Sequence, residues 1–105
     1  MRFLEYETWR LKKDIDMEAY DKIIKDWFAF VVKNRQELFP EWVSAKYYRK
    51  TDRDGNPNGL FVMMFEYESL EGHHAYKERR KDWDGPYEAY KAVDPYQEFF
   101  ELDSV

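Results

Sequence analysis

Four stretches of the chain have the apolar and polar pattern of β-strands, and two segments between them have the pattern of helices. The strand-like stretches are residues 2–12, 43–50, 60–68 and 96–102. They are rich in β-branched and aromatic residues, and turn-forming Asp-Gly, Asn-Gly and Asp-Pro pairs lie between elements. The sequence therefore predicts four strands.

Two amphipathic helices are predicted between these strands. The first covers residues 17–38, because Asp16 is a good N-cap, Pro40 ends the segment and apolar residues recur at helical spacing. The second begins after Ser69 and runs to Trp83. A further short helix is expected after Pro86. The resulting order is β-α-β-β-α-β.

This order is satisfied by one α+β domain over residues 1–105. The expected fold is ferredoxin-like, with a four-stranded antiparallel sheet and helices on one face. The third strand is apolar on both faces: Phe61, Met63, Phe65 and Tyr67 on one, Leu60, Val62 and Met64 on the other. One helical layer covers a single face, so we expect a second copy of the chain to cover the open one, giving a homodimer.

Composition narrows the classes of partner. Aromatic residues make up 20% of the 105, which exceeds what a small monomer hides easily and favours a ligand pocket or a subunit interface. The net charge of -5 argues against binding nucleic acid. The chain has no cysteine, no apolar run of about 20 residues, and acidic residues where a signal peptide would be apolar. We therefore expect a soluble, cytoplasmic protein that does not enter membranes.

The two histidines, His73 and His74, are adjacent at the start of the second helix. Neighbouring helix residues point about 100° apart, so the two cannot easily bind one metal ion, and no metal site is predicted. One histidine should face the sheet and the other solvent. His74 follows Leu70 by four residues and should share its inward side, so His74 is the predicted catalytic histidine. His73 is kept as a ligand contact.

Six glutamates lie on predicted strands, where glutamate is usually depleted. Glu66 ends the buried strand just before the second helix and, beside His74, is the other predicted catalytic acid–base residue. The alternative for all six, Glu5, Glu7, Glu66, Glu68, Glu98 and Glu101, is cross-strand ion pairing or edge protection.

Several aromatic side chains are candidates for binding a planar aromatic ligand, because each ring offers apolar area and tyrosine and tryptophan add a polar group. Filling of the core or of a dimer interface is the alternative role for most of them. The predicted ligand-binding set is Tyr6, Trp9, Tyr67, Tyr76 and Trp83, together with His73.

The run from Phe65 to Tyr76, with the later Asp82-Trp83 and the segment Tyr87–Tyr90, resembles the dimeric α/β-barrel superfamily. The similarity is to its antibiotic-biosynthesis-monooxygenase-like and NIPSNAP-like branches. The resemblance implies a homodimer in which two sheets face each other. It also implies an activity from a mixed group: cofactor-free monooxygenases, haem-degrading enzymes, isomerases and proteins without known activity.

Three functions remain open at this stage. One is a small-molecule-binding protein that acts as a cofactor-free monooxygenase-like enzyme on a small aromatic or polyketide-like compound. Another is a dimeric binding or structural domain without catalysis. The third is haem binding or degradation, which the sequence favours less because the haem-degrading branch carries an Asn on the first strand where this chain has Glu5 and Glu7. No tightly bound cofactor is expected.

Overall fold

A computed structural model describes residues 1–11, 14–82 and 93–102, with side chains in the last range from Phe99 onward. The elements are β1 (Phe3–Leu11), α1 (Met17–Lys33), α2 (Arg35–Leu38), β2 (Trp42–Thr51), β3 (Pro57–Tyr67), α3 (Leu70–Arg80) and β4 (Val93–Leu102). Their order confirms the predicted β-α-β-β-α-β sequence of elements. The predicted helix after Pro86 falls almost wholly in 83–92, outside the described residues, and Val93 already belongs to β4.

The strands form one antiparallel sheet in the order β2-β3-β1-β4. This is the strand order of the ferredoxin-like fold, so the predicted fold class is confirmed. β1 and β3 are the central strands, and their register pairs Phe3 with Tyr67 and Trp9 with Phe61. Residues that pair directly across antiparallel strands point to the same face of the sheet. The odd-numbered positions of both strands therefore share the helix-covered face.

The core lies between that face and the helices. From β1 it receives Phe3 and Trp9, and from β3 the alternate residues predicted for one face of that strand. α1 buries one stripe at helical spacing, and α3 adds Tyr76. The α1 residues in the core are Tyr20, Ile24, Trp27 and Val31.

The predicted first helix is correct in its start and interrupted near its end. Asp16 caps α1 as expected, its carboxylate accepting from the Ala19 amide at 3.2 Å. α1 stops at Lys33 because Asn34 leaves helical geometry, and its side-chain amide donates to the Phe30 carbonyl at 2.9 Å. The single turn α2 then carries the chain towards β2.

The face of the sheet away from the helices keeps apolar side chains at its surface. Tyr6 and Phe99 stack there with ring centroids 5.0 Å apart, and Phe99 and Tyr48 are among the exposed large hydrophobic residues. Met64 is half-buried on the same face. We call this surface the open face. Within the described ranges, no helix has the length and apolarity needed to cross a membrane.

Candidate functional site

A carboxylate lies buried in the middle of the helix-covered face. Glu5 of β1 is 3% exposed and pairs across the sheet with Phe65 of β3 and Phe100 of β4. The Tyr67 hydroxyl donates to its Oε1 at 3.0 Å. Lys77 Nζ lies 3.1 Å and His73 Nε2 lies 3.8 Å from its Oε2. We call these four residues, Glu5, Tyr67, His73 and Lys77, the Glu5 cluster.

The local sequence explains how α3 brings two of these side chains to β1. β3 ends at Tyr67, and Ser69 caps α3 by accepting from the Gly72 amide at 3.0 Å. His73 and Lys77 are then one helical turn apart and lie on the same side of α3. Both side chains extend from α3 towards Glu5, and Tyr67 contacts Glu5 from the neighbouring strand β3.

Aromatic rings surround the His73 imidazole. Its centroid lies 4.6 Å from that of Phe3, 5.0 Å from Tyr67 in an edge-on contact, and 5.7 Å from Phe100. Only 8% of His73 is exposed, and neither of its ring nitrogens has a hydrogen-bond partner among the described residues. Burial lowers the pKa of His73, against the opposing attraction of Glu5, so the imidazole is neutral at pH 7.

The other members of the Glu5 cluster add a hydrogen-bond donor and a cation beside the neutral imidazole. Burial, and then the negative charge of Glu5, raise the pKa of Tyr67 far above its ordinary value, so its hydroxyl stays protonated and donates to the carboxylate. The Lys77 side chain is 43% exposed and connects the buried carboxylate to the surface. Its contact with Oε2 is an ion pair outside hydrogen-bond geometry. The arrangement offers a proton acceptor, a hydrogen-bond donor and a cation within one apolar environment.

The predicted orientation of the two histidines is wrong. His74 is exposed, and His73 is the buried one. The inward side of α3 is set by Tyr76, a buried core residue three positions after His73 and two after His74. Residues two apart on a helix do not share a face, whereas residues three apart do. The spacing to Tyr76, rather than to Leu70, would have identified His73.

Glu66 does not join either histidine. By the register of β3 it lies on the open face, across the sheet from the Glu5 cluster. It forms an ion pair with Arg2, Oε1 to Nη1 at 2.6 Å. The two predicted catalytic residues, Glu66 and His74, therefore lie on different surfaces of the molecule, and neither belongs to the Glu5 cluster.

The predicted ligand-binding residues are dispersed. Tyr67 and His73 belong to the Glu5 cluster. Trp9 lies near the far end of β1, where its Nε1 donates to the Tyr20 hydroxyl at 2.7 Å. Tyr76 packs in the core against Trp42, with ring centroids 5.3 Å apart. Tyr6 lies on the open face and Trp83 outside the described residues.

Two members of the Glu5 cluster were missed or ranked too low. Glu5 was only one of six strand glutamates, because neither face of the first strand is cleanly apolar and its inward side cannot be read from the sequence. Lys77 was not among the predicted site residues. Its position one turn after His73 was the available signal. Across the described ranges, no three His, Asp or Glu side chains converge as ligands of a metal ion would.

Solved structures with the same fold share little sequence with this chain. A NIPSNAP family protein from Agrobacterium tumefaciens has a TM-score of 0.62 at 15% identity, covering 99% of this chain and 94% of its own. A dimeric ferredoxin-like protein from an uncultured marine organism has a TM-score of 0.66 at 16% identity, covering 99% and 90%. SnoaB, a cofactor-independent oxygenase from Streptomyces nogalater, has a TM-score of 0.59 at 7% identity, covering 97% and 92%.

No protein-family model and no curated protein matches the sequence. At these identities the structural likeness establishes the fold alone, which is the fold that the resemblance implied. Function has to be argued from the side chains of this chain.

Proposed function

We propose that this protein is a homodimer that binds a small aromatic compound beside the Glu5 cluster and removes a proton from it. The observation that carries the proposal is the buried His73, whose two ring nitrogens have no hydrogen bond within the described part of the chain and whose Nε2 lies 3.8 Å from the Glu5 carboxylate. A buried polar group without a partner costs stability, and such groups concentrate at sites that bind or react.

His73 is the proposed general base. Glu5 favours the tautomer in which the proton is on Nε2, so Nδ1 carries the lone pair that accepts a proton from the ligand. The imidazolium that forms is stabilised by Glu5. Lys77, at the surface end of the cluster, is placed to attract the negative charge that develops on a phenolate or enolate oxygen.

This chemistry needs no bound cofactor for its first step. An aromatic ligand with an acidic C–H group that is conjugated with a carbonyl becomes an electron-rich anion once deprotonated. Such an anion can reduce O2, giving a quinone and water, or take its proton back at another carbon. The cofactor-independent oxygenase SnoaB, which has the same fold, supports the first outcome as the reaction to test.

Anthrone is a suitable probe, because loss of a proton from its central methylene allows O2 to convert it into anthraquinone and water. We expect anthraquinone formation above the buffer rate with the wild-type chain, and a loss of about 100-fold or more of that enhancement in His73→Phe. His74→Gln is the matched control, and it should keep the wild-type rate.

The three results of this experiment have different meanings. Loss in His73→Phe alone supports the proposal. Loss in His74→Gln alone would return the role to the exposed histidine and contradict it. Saturable binding of anthrone by both variants and the wild type, without O2 consumption, would instead favour the non-catalytic binding domain.

The proposed homodimer joins two open faces. Exposed aromatic and apolar residues on that face are what a sheet covered by a second copy would present, and a dimeric ferredoxin-like protein is among the structures with this fold. Light scattering after size exclusion should give twice the mass of one chain at micromolar concentration.

A charge on the open face should break the dimer. Phe99→Glu places an unpaired carboxylate in the proposed interface, so it should yield monomers. Val32→Glu is the matched control: Val32 is 75% exposed on α1, so its replacement should leave the mass unchanged. A wild-type monomer, or a dimer lost in Val32→Glu and kept in Phe99→Glu, would contradict an open-face interface.

A further inference from the structure

A concave surface lies near the end of β1 opposite to Glu5. It is a cleft of about 420 Å³ between the start of α1, the end of β1 and the beginning of β3. Along β1 its nearest lining residue, Arg10, is five residues from Glu5, about 17 Å at the rise of an extended strand. It is therefore separate from the proposed site above and does not depend on it. Its apolar lining comes from Leu11, Ile15, Met17, Pro57, Leu60 and Phe61.

Two guanidinium groups border this apolar cleft, those of Arg10 and Arg49. The guanidinium carbon of Arg49 lies 5.8 Å from the centroid of the Phe61 ring, in a cation–π arrangement. Arg10 Nη1 donates to the backbone carbonyl of Asn58 at 3.1 Å, which leaves most of its donors unused in that contact. Although the chain has a net charge of -5, the two arginines make the electrostatic potential at this cleft locally positive.

Neither arginine is fully satisfied by a carboxylate. Arg49 Nη2 is 3.5 Å from both carboxylate oxygens of Asp21, well beyond the 2.7–2.9 Å that charge-assisted hydrogen bonds prefer. Arg10 forms no ion pair within the described part of the chain. A ligand carboxylate could therefore engage both groups, competing only with one long contact.

Gly59 leaves room for the Arg10 guanidinium where it lies in the structure. Its φ of +86° lies in the left-handed region, and a β-carbon there would be 2.9 Å from Arg10 Nη1. Gly55, in the preceding hairpin, has the same φ but nothing within 4 Å of such a carbon. The two glycines share one backbone requirement and differ only in the contact with Arg10.

We propose that this Arg10–Arg49 cleft binds a small organic carboxylate with an apolar tail. The tail lies on the aliphatic and aromatic lining, and the carboxylate accepts from the two guanidiniums. The volume accommodates about fourteen water-sized groups at about 30 Å³ each, so a medium-chain or monocyclic acid fits.

The test is a titration of the 105-residue chain with sodium octanoate, monitored by the backbone amide shifts in two-dimensional NMR. Octanamide is the neutral comparison with the same tail. We expect shifts around the cleft with octanoate and affinity weaker by about fivefold or more for octanamide. Equal affinity for the two, or shifts confined to another surface, would overturn the proposal.

Five variants sharpen the result. Arg10→Gln and Arg49→Gln should each weaken octanoate by about fivefold, whereas Asp21→Asn, which removes the competing charge, should tighten it by about twofold. Gly59→Ala should weaken octanoate and Gly55→Ala should not, although both strain the backbone equally. Weaker binding in Asp21→Asn, or equal losses in the two glycine variants, would contradict the assigned role of the guanidiniums.

Discussion

The burial of His73 makes the stability of this fold depend on pH in a defined window. The unfolded chain protonates this imidazole near its ordinary pKa of 6.5, whereas burial lowers the pKa of His73 in the folded state. Between those two values the unfolded chain binds more protons. Stability is therefore complete above pH 6.5 and decreases as the pH falls towards the folded pKa.

The size of this effect is set by one proton. A full difference of one bound proton corresponds to a slope of about 1.4 kcal/mol per pH unit in the free energy of unfolding. Three charges act on His73 from its surroundings: Glu5 raises its pKa, while Lys77 and His74 lower it. Burial is the largest cause, so the direction is a loss of stability on acidification.

Urea unfolding of the wild type, followed by tryptophan fluorescence from pH 7.5 to 5.0, measures this slope. His73→Phe keeps an aromatic ring against Phe3 and removes the titrating group, so its curve should be flat over the window. His74→Gln removes the exposed neighbour and should run parallel to the wild type. Protein concentration is held constant, because dimerisation would contribute to the measured stability.

Two results would refute this reasoning. One is a wild-type curve that stays flat between pH 7 and 5.5, since no proton would then be taken up on unfolding. The other is a slope that survives in His73→Phe and vanishes in His74→Gln, which would mean that the exposed histidine is the coupled one.

Three further outcomes test other contacts. Tyr67→Phe removes the donor to the buried Oε1 of Glu5 and should destabilise the fold by about 1–3 kcal/mol in urea unfolding; no change would mean that Glu5 is already solvated. Asp16→Ala should cost about 1 kcal/mol by loss of the α1 cap, visible as a lower melting temperature; an unchanged melting temperature would contradict the cap. Two hydrogen bonds from Arg79, at 2.5 and 2.6 Å, lower the pKa of the Glu41 carboxyl. Acid should therefore destabilise the wild type below pH 4.5 more steeply than it destabilises Glu41→Gln. Parallel acid-unfolding curves for the two proteins would contradict the ion pair.

The fold was predictable because its signals are local and repeated. Alternation and helical spacing defined the elements, and Asp16 and Ser69 marked the starts of the two main helices. The break at Asn34 was not predictable from spacing, since apolar residues continue in phase to Leu38. It depends on a side-chain hydrogen bond to the Phe30 carbonyl, which a periodic pattern does not contain.

The site was less predictable because its residues come together only through the pairing register of the strands. Glu5 is buried because β1 is central and its odd positions face α3. Both facts depend on pairing with residues sixty and ninety-five positions away, Phe65 and Phe100. The choice between His73 and His74 was local, and it failed because the four-residue spacing from Leu70 was used, whereas the three-residue spacing to Tyr76 identifies His73. The sequence could identify strand glutamates and helix histidines as a class without pairing the right members.

The central place of β1 also affects how the chain can fold. Phe3 has two cross-strand partners, Tyr67 and Leu102, and both come late in the sequence. The backbone of β1, the first strand to be synthesised, is therefore paired on both sides only after both β3 and β4 have been made. Closing such long loops first is entropically costly, so we expect folding in the slower range of small mixed domains. A chain truncated before Val93 would leave β1 as an open edge, free to pair with the same edge of another molecule.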